Sequence, residues 1–372
     1  MNKTPLQPLT LDEADAKKFV HSMRLSRMLL PIALGLTVVG YLFYRQFDIS
    51  RFREIEWTGR AFAWIGLAFL LLLLRHFFYA YRLKVLTGGN YFSLKKCFQL
   101  IVLWEFSGAL TPTSKGGPFV MLFVLTQEKV PSGRTAAALF YTMICDTGFF
   151  VILMPILLSI YGPPMLYPGM TSFSAKNLAS SALFITYGMM IVYWLFLTFF
   201  VFFKPQYAKK SLAWLAELRL LKRFAPKLNL LGEEFELAAT EMRQQNWKYH
   251  LRVILCALGS WTSKFMMINC LIIAIVPSTP IDGATQAFIY ARLVAMFIII
   301  ALSPTPGGAG LAELALVGFI SDFVPPGIGL VVALLWRGMA YYGYLIAGAL
   351  VVPGWIATKV SERKKSKLLT DS

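Results

Sequence analysis

Two long apolar regions of this chain are each interrupted near their centre by the same short motif. The first break is Leu110-Thr-Pro-Thr-Ser-Lys-Gly-Gly117, and the second is Leu302-Ser-Pro-Thr-Pro-Gly-Gly308. Lipid offers no hydrogen-bond partners, so backbone groups that Pro and Gly release inside an apolar run must face protein or water. Broken helices at corresponding places in two halves point to a transporter-like binding site near the middle of a membrane.

The composition agrees with a membrane location, because 57% of the 372 residues are hydrophobic and only 15% are charged. The first 27 residues are polar and charged, so we expect the first apolar segment to be a retained anchor and not a cleaved signal peptide. A bilayer is crossed by about 20 apolar helical residues. Six runs qualify: 28–47, 61–80, 134–160, 178–203, 249–276 and 328–352.

The two regions that contain the breaks are 97–125 and 284–320, and the apolar pieces beside each break are mostly too short to span. We predict that each region is a re-entrant helical hairpin that turns at its break; the alternative is one kinked spanning helix. Basic residues are concentrated at 204–248 and in the tail 353–372, which places both in the cytoplasm. Re-entrant hairpins also put the basic loop 81–96 on that side, whereas spanning hairpins would put basic loops on opposite faces.

The predicted fold class is therefore an all-α polytopic integral membrane protein with six spanning helices plus two re-entrant broken-helix hairpins arranged as an inverted repeat. Each half has the order span, span, hairpin, span, so the hairpins enter from opposite sides and their tips meet near the midplane. The predicted location is the cell membrane, with both termini in the cytoplasm. The predicted segments are an N-terminal stretch 1–27, one transmembrane domain 28–352 with halves 28–160 and 178–352, a cytoplasmic amphipathic connector 204–248, and the basic tail 353–372.

Charged residues inside apolar regions are costly and usually face the protein interior. Aligning the two glycine pairs gives an offset of 191 residues, which relates Asp146 to Arg337. We predict that these two residues form a buried ion pair, which either holds the halves together or serves a pathway. Arg75 and Arg82 lie near the cytoplasmic end of their span, so we expect their side chains to extend to the headgroups.

The second break opens a helix that has Glu313 in its first turn. The free amides and the positive end of such a helix favour an anion, for example a lipid phosphate. Lys115, Lys264 and Arg292 would complete an anion-binding cavity. Two simpler alternatives stay open: Glu313 accepts hydrogen bonds from first-turn amides, and Lys115 faces the headgroups.

The net charge of +17 does not require nucleic acid, because Lys and Arg gather in cytoplasmic loops and the chain has no basic, aromatic-rich soluble module. The four cysteines form no close pair and the three histidines are scattered, so we expect neither a metal nor a cofactor. The expected partners are a membrane phospholipid or glycolipid and anionic lipid headgroups at the cytoplasmic face. The sequence leaves a homo-oligomer open.

The segment Ser303-Pro-Thr-Pro-Gly-Gly-Ala-Gly-Leu-Ala-Glu313 resembles a signature of the transmembrane region of the lysylphosphatidylglycerol synthase/flippase family. The first break, with Pro131-Ser-Gly-Arg-Thr-Ala-Ala-Ala after it, is similar to the family's first glycine-containing break. The resemblance covers roughly residues 28–352 and implies a membrane domain that moves lipids between leaflets. It implicates these positions in substrate binding: Gly116, Gly117, Pro304, Thr305, Gly307, Gly308, Gly310 and Glu313.

This chain departs from the family pattern after the first glycine pair, where many relatives have Gln or Glu and this chain has Pro118-Phe-Val-Met. We therefore expect an asymmetric site centred on the second break. Aminoacyl transfer in the bifunctional members lies in a soluble C-terminal domain. The chain ends soon after its last span, so we expect no aminoacyl-phosphatidylglycerol synthase activity.

Three functions remain to be compared. The first is a lipid transporter or flippase-like protein, which binds a headgroup at the paired breaks and exposes it alternately to the two leaflets. The second is a non-catalytic accessory or scaffold protein for envelope lipid or glycan synthesis. An enzyme is the least supported, because the sequence has no nucleophile-base pair, metal cluster or paired-carboxylate motif.

Overall fold

The structure is a computed structural model. It describes residues 52–53, 55–89, 91–110, 117–172, 178–218, 222–301, 308 and 310–370. The predicted first span at 28–47 lies outside the described residues. Most of both breaks does so too, including five of the predicted site residues: Lys115, Gly116, Pro304, Thr305 and Gly307.

The described residues form α-helices joined by short loops. We number these helices in chain order: α1 Gly59–Leu86, α2 Leu94–Leu110, α3 Gly117–Gln127, α4 Ser132–Tyr161, α5 Leu178–Thr198, α6 Pro205–Glu217, α7 Ala225–Arg243, α8 Trp247–Ile275, α9 Gly283–Ile300, α10 Leu311–Phe319, α11 Gly329–Arg337 and α12 Gly343–Thr370. Five-residue π-helical turns, Phe199–Phe203 and Gly338–Tyr342, follow α5 and α11.

Six described helical stretches are long and apolar enough to cross a membrane, which makes the chain a multi-pass membrane protein by length and composition. Five of them confirm predicted spans: α1, α4, α5 with its π turn, α8, and α11 continued into α12. The sixth is α9, which the sequence analysis treated as one arm of the second hairpin and did not count as a span. Its 18 residues are long and apolar enough to make α9 a candidate span by length and composition.

Polar caps explain where three of these long helices begin. The side chains of Thr58, Asn246 and Asp282 accept hydrogen bonds from amides in the first turns of α1, α8 and α9. An N-cap of this kind satisfies a donor that the helix leaves without a partner. The starts of α1 and α8, and of α2 and α9, lie 188 and 189 residues apart, so the same helix order recurs in the two halves.

The described helices on either side of each break pack against each other as a helical hairpin. Lys96, near the start of α2, pairs with Glu128, directly after α3, at 2.8 Å. In the second region Arg292 of α9 donates to the carbonyl oxygen of Phe319 at the end of α10, at 3.3 Å, and pairs with Asp322.

The connector consists of α6 and α7, which pack against each other, and α7 also packs onto α4. Gly133, in the first turn of α4, donates its amide hydrogen to Glu234 Oε2 of α7 at 2.8 Å. A Cβ atom at Gly133 would lie 2.2 Å from the carbonyl carbon of Glu234, so the two backbones meet directly. Glycine is therefore required where the connector joins the bundle.

We expect Gly133→Ala to lower the free energy of unfolding by about 1–3 kcal/mol, because a backbone atom of α7 cannot move aside for the methyl group. The matched control is Gly66→Ala in α1, where a Cβ would have no neighbour within 4 Å. Thermal unfolding of both variants in detergent measures the effect. An unchanged melting temperature for Gly133→Ala would show that α7 does not dock as described.

Glu128 ties the first hairpin to the last helix. Its carboxylate accepts from Lys96 at 2.8 Å and, on α12, from Trp355 Nε1 at 2.6 Å and Lys359 Nζ at 3.0 Å. Burial alone would raise the pKa of Glu128, but the hydrogen bonds from these three side chains outweigh burial and hold it below its ordinary value of 4.5. The charged form of Glu128 therefore stabilises the fold.

A group whose pKa is lower in the folded state stabilises the protein above its unfolded pKa and ceases to do so as the pH falls through its folded pKa. We expect Glu128→Gln to be less stable than the parent at pH 7, and the difference to shrink as the pH falls below the ordinary value of 4.5 and to vanish once it is below the folded pKa. Melting curves across pH measure this. Glu362→Gln, at an exposed partner of Lys359, is the control and should change little at any pH.

Candidate functional site

Arg75 of α1 is buried among groups from two other helices. Its guanidinium donates to Glu105 Oε1 of α2 at 2.7 Å and to the Tyr344 hydroxyl of α12 at 3.2 Å. The neighbouring His76 has its Nδ1 3.0 Å from the same hydroxyl and its Nε2 3.1 Å from the carbonyl oxygen of Phe98. Arg75 and His76 thus join α1 to α12 through Tyr344 and to α2 through Glu105 and the carbonyl oxygen of Phe98.

Arg82, about two turns further along α1, makes a bidentate ion pair with Asp146 of α4, at 2.7 and 3.0 Å. Trp261 of α8 also donates to Asp146 through its indole N–H, at 3.0 Å. The ring of Tyr79 lies between the two arginines, with its centroid 4.8 Å from each guanidinium carbon. Both arginines are buried and ion-paired, so the expectation that they extend to the headgroups was wrong.

Glu313 is completely buried at the start of α10. Its Oε2 accepts from the amide of Gly310 at 2.8 Å, and its Oε1 accepts from Arg337 Nε of α11 at 2.7 Å. Gly310 caps the helix at a φ of 83°, and Gly308 has a φ of 71°, a backbone region that favours glycine. The capping alternative for Glu313 is thus confirmed, with an arginine as a second partner.

The predicted Asp146–Arg337 ion pair was wrong, since Asp146 pairs with Arg82 and Arg337 pairs with Glu313. The offset from the glycine pairs does not extend to the last spans, because the loops before them differ in length. Helix α4 begins 15 residues after Gly117, whereas α11 begins 21 residues after Gly308. Asp146 and Arg337 therefore do not occupy equivalent depths in their helices.

The described edges of both breaks meet at one turn of the last span. This is the π-helical turn Gly338–Tyr342, which follows Arg337 directly. The Tyr341 hydroxyl donates to the carbonyl oxygen of Ala109, one residue before α2 ends, at 3.2 Å. Since Arg337, directly before this turn, holds Glu313 after the second break, the turn and the residue before it contact residues beside both breaks, and such turns are frequent at functional sites.

Lys264 of α8 differs from the charged residues around it. Its ammonium group lies 4.7 Å from the ring centroid of Trp261 and 4.3 Å from that of Phe297, and it makes no hydrogen bond or ion pair with a described residue. The charged groups that act on it electrostatically are Arg75, Glu105, Arg337 and Asp146. Each arginine near it has a carboxylate partner, whereas Lys264 forms no ion pair with a described side chain.

The structure separates Arg292 from this cluster. The Arg292 guanidinium binds Asp322 and donates to the carbonyl oxygens of Phe319 and Pro164, the latter at 2.7 Å. These contacts hold the second hairpin against the loop after α4. Gly117 instead packs at the first break, where a Cβ would lie 3.2 Å from the Trp104 ring.

Sequence reasoning missed Trp261, Tyr341 and Tyr344 as parts of the site, and it gave Arg75 and Arg82 the wrong surroundings. One signal was present: Arg75, Tyr79 and Arg82 recur at positions i, i+4 and i+7, which share one face of a helix. Charge on one face of a spanning helix indicates that this face looks inward.

Comparison with known proteins agrees with this architecture. A family model described as the lysylphosphatidylglycerol synthase TM region matches residues 28–348. The chain belongs to this family. The resemblance predicted from the second break is thereby confirmed, and membership is consistent with a lipid-related role in the membrane.

A curated relative, described as a UPF0104 membrane protein from Archaeoglobus fulgidus, is 26% identical over 312 residues. The match covers 80% of this chain and 89% of the relative. No solved structure gives a significant match.

The observed pairing predicts which charged residues are energetically coupled. In double-mutant cycles of unfolding free energy, Arg82→Gln with Asp146→Asn should show a coupling of about 1–3 kcal/mol, because the two side chains touch. Arg337→Gln with Asp146→Asn serves as the control and should couple by less than about 0.5 kcal/mol. A larger coupling energy in the control cycle would instead support the Asp146–Arg337 pair that the sequence predicted.

Proposed function

We propose that this protein is a flippase-like lipid transporter, which binds the anionic headgroup of a phospholipid or related lipid at Lys264 and moves it between leaflets through a midplane cavity at the paired breaks. The observation that carries this proposal is the position of the Lys264 amine, which has no carboxylate partner among the described residues while the arginines near it do. A charge at this depth is costly and is retained in membrane proteins chiefly for function. An anionic ligand would neutralise it.

The surroundings of Lys264 suit a headgroup better than a permanent ion pair. The faces of Trp261 and Phe297 stabilise the ammonium group by cation–π attraction while leaving its N–H donors free of described partners. Those donors are then available to phosphate oxygens.

The second support is the meeting of the two breaks at Arg337 and Tyr341. Arg337 is bonded to Glu313, next to the second break, and Tyr341 to Ala109, next to the first. The recurring helix order favours two halves related as an inverted repeat, with re-entrant hairpins that enter from opposite sides. In such a transporter, rocking of one half against the other exposes a fixed site alternately to each side.

The proposed transport function also gives roles to Glu313, Arg292 and the basic connector. The substrate site would include the residues of both breaks together with Glu313, which fixes the first turn of α10, whereas the contacts of Arg292 give it a bracing role. The protein would lie in the cell membrane with its basic connector and both termini in the cytoplasm, where anionic headgroups attract Lys and Arg. It would act without aminoacyl transfer.

The test is the movement of fluorescent phosphatidylglycerol in proteoliposomes, followed by chemical quenching of the label in the outer leaflet. We expect the parent to accelerate this movement, Lys264→Met to reduce the rate at least about tenfold, and Lys264→Arg to retain most of it, since arginine keeps the charge. Lys95→Met makes the same chemical change at an exposed position and should match the parent.

Two results would overturn the proposal. A parent protein that moves no anionic lipid faster than protein-free vesicles would favour the accessory or scaffold role. A Lys264→Met protein that is as fast as the parent would remove Lys264 from the pathway.

A further inference from the structure

We propose that the protein has a second anion site, a phosphate-binding cavity at the junction of the connector with the helix bundle, away from the charged cluster around Lys264. The cavity has a volume of about 290 Å³ and lies between the end of α1, the starts of α4 and α8, and the end of α7. Its polar lining residues are Arg134, Glu241, Gln245, Tyr249 and Arg252. Nothing in the transport mechanism proposed above uses it.

The cavity has an excess of positive charge that the described residues do not neutralise. Arg252 is exposed and makes no hydrogen bond or ion pair with a described residue. Arg134 has one carboxylate contact, Nη2 to Glu241 Oε1 at 3.4 Å, and its Nε is buried without a partner. The cavity thus contains two guanidinium groups and one carboxylate. The guanidinium N–H groups that make no contact with Glu241 can donate to a negatively charged ligand.

A glycine pair at the end of α1 makes room for this arrangement. Gly88 and Gly89 have φ values of 99° and 76°, and their amides are bonded back to the carbonyl oxygens of Val85 and Lys84. A Cβ at Gly88 would lie 2.6 Å from Nη2 of Arg134, so only glycine lets the guanidinium rest against this turn. At Gly89 a Cβ would meet nothing within 4 Å, because this position faces open space.

Phosphate is the ligand class that fits these groups best. Guanidinium groups bind phosphate oxygens through two parallel N–H donors, a geometry that a single lysine cannot reproduce. The cavity is larger than a phosphate ion, so it has room for an esterified phosphate. The ligand is therefore either the headgroup phosphate of a lipid or a free phosphate compound, and both would bridge α7 to α4 and α8.

The first arm of the test is calorimetric titration of inorganic phosphate into the full-length protein in detergent. The second arm measures retention of phosphatidic acid by the protein in nanodiscs of equal parts phosphatidylcholine and phosphatidic acid. Binding in the first arm identifies a free phosphate compound as the source, and binding in the second arm alone identifies a lipid headgroup. Either result supports the site if the variants below behave as expected.

We expect Arg252→Gln and Arg134→Gln each to weaken the binding about tenfold. Arg252 has no described partner to lose, so its substitution should leave the fold intact. Gln245→Trp fills the cavity without changing the charge and should weaken binding to a similar degree. Lys248→Gln removes the same charge one turn before Arg252, outside the cavity lining, and should change binding less than about twofold.

The proposal is overturned if neither arm detects binding, or if Arg252→Gln and Gln245→Trp bind as the parent does. Equal weakening by Lys248→Gln would also overturn it, because the binding would then reflect surface charge alone. None of these variants touches Lys264, so transport in the proteoliposome assay is scored separately.

Discussion

The high free-energy cost of an unpaired charge inside a membrane organises this molecule. Three arginines at that depth each meet a carboxylate from another helix: Arg75 with Glu105, Arg82 with Asp146, and Arg337 with Glu313. Removing one member of such a pair leaves the other charge uncompensated, which costs several kcal/mol. The pairs therefore fix which helices are neighbours, and two aromatic residues add hydrogen bonds to them, Tyr344 to Arg75 and Trp261 to Asp146.

The same rule makes Lys264 informative, because it is the exception among charged groups that otherwise satisfy one another. Trp261 contacts both Asp146 and Lys264. Its indole N–H donates to Asp146, and its ring face lies against the amine of Lys264. The Arg82–Asp146 ion pair and Lys264, which no described side chain pairs with, thus share one side chain. An anion bound at Lys264 would therefore act on Asp146 through a change in the orientation of the Trp261 ring.

The spans were predictable from sequence because they depend on local composition. The run 134–160 corresponds to Ser132–Tyr161 and the run 249–276 to Trp247–Ile275. The pairing of charges was not predictable, because it depends on which helices touch and on the length of the loops between them. Arg75 and Arg82 could be placed on one helix face, but nothing local revealed that α2 and α4 supply their carboxylates. The role of Glu313 as a cap was accessible, since it follows from its position in the first turn of a helix.

The Glu128 cluster has a mechanical consequence. Contacts of Glu128 with Lys96, Trp355 and Lys359 hold the end of the first hairpin that lies away from the break against α12. At the other end, the Tyr341 hydroxyl donates to the carbonyl oxygen of Ala109. Between these two anchors, Phe106 packs where a Cβ at Gly348 would lie, 2.2 Å away. A hairpin held to one helix at both ends and in the middle is constrained to move with that helix as one rigid unit.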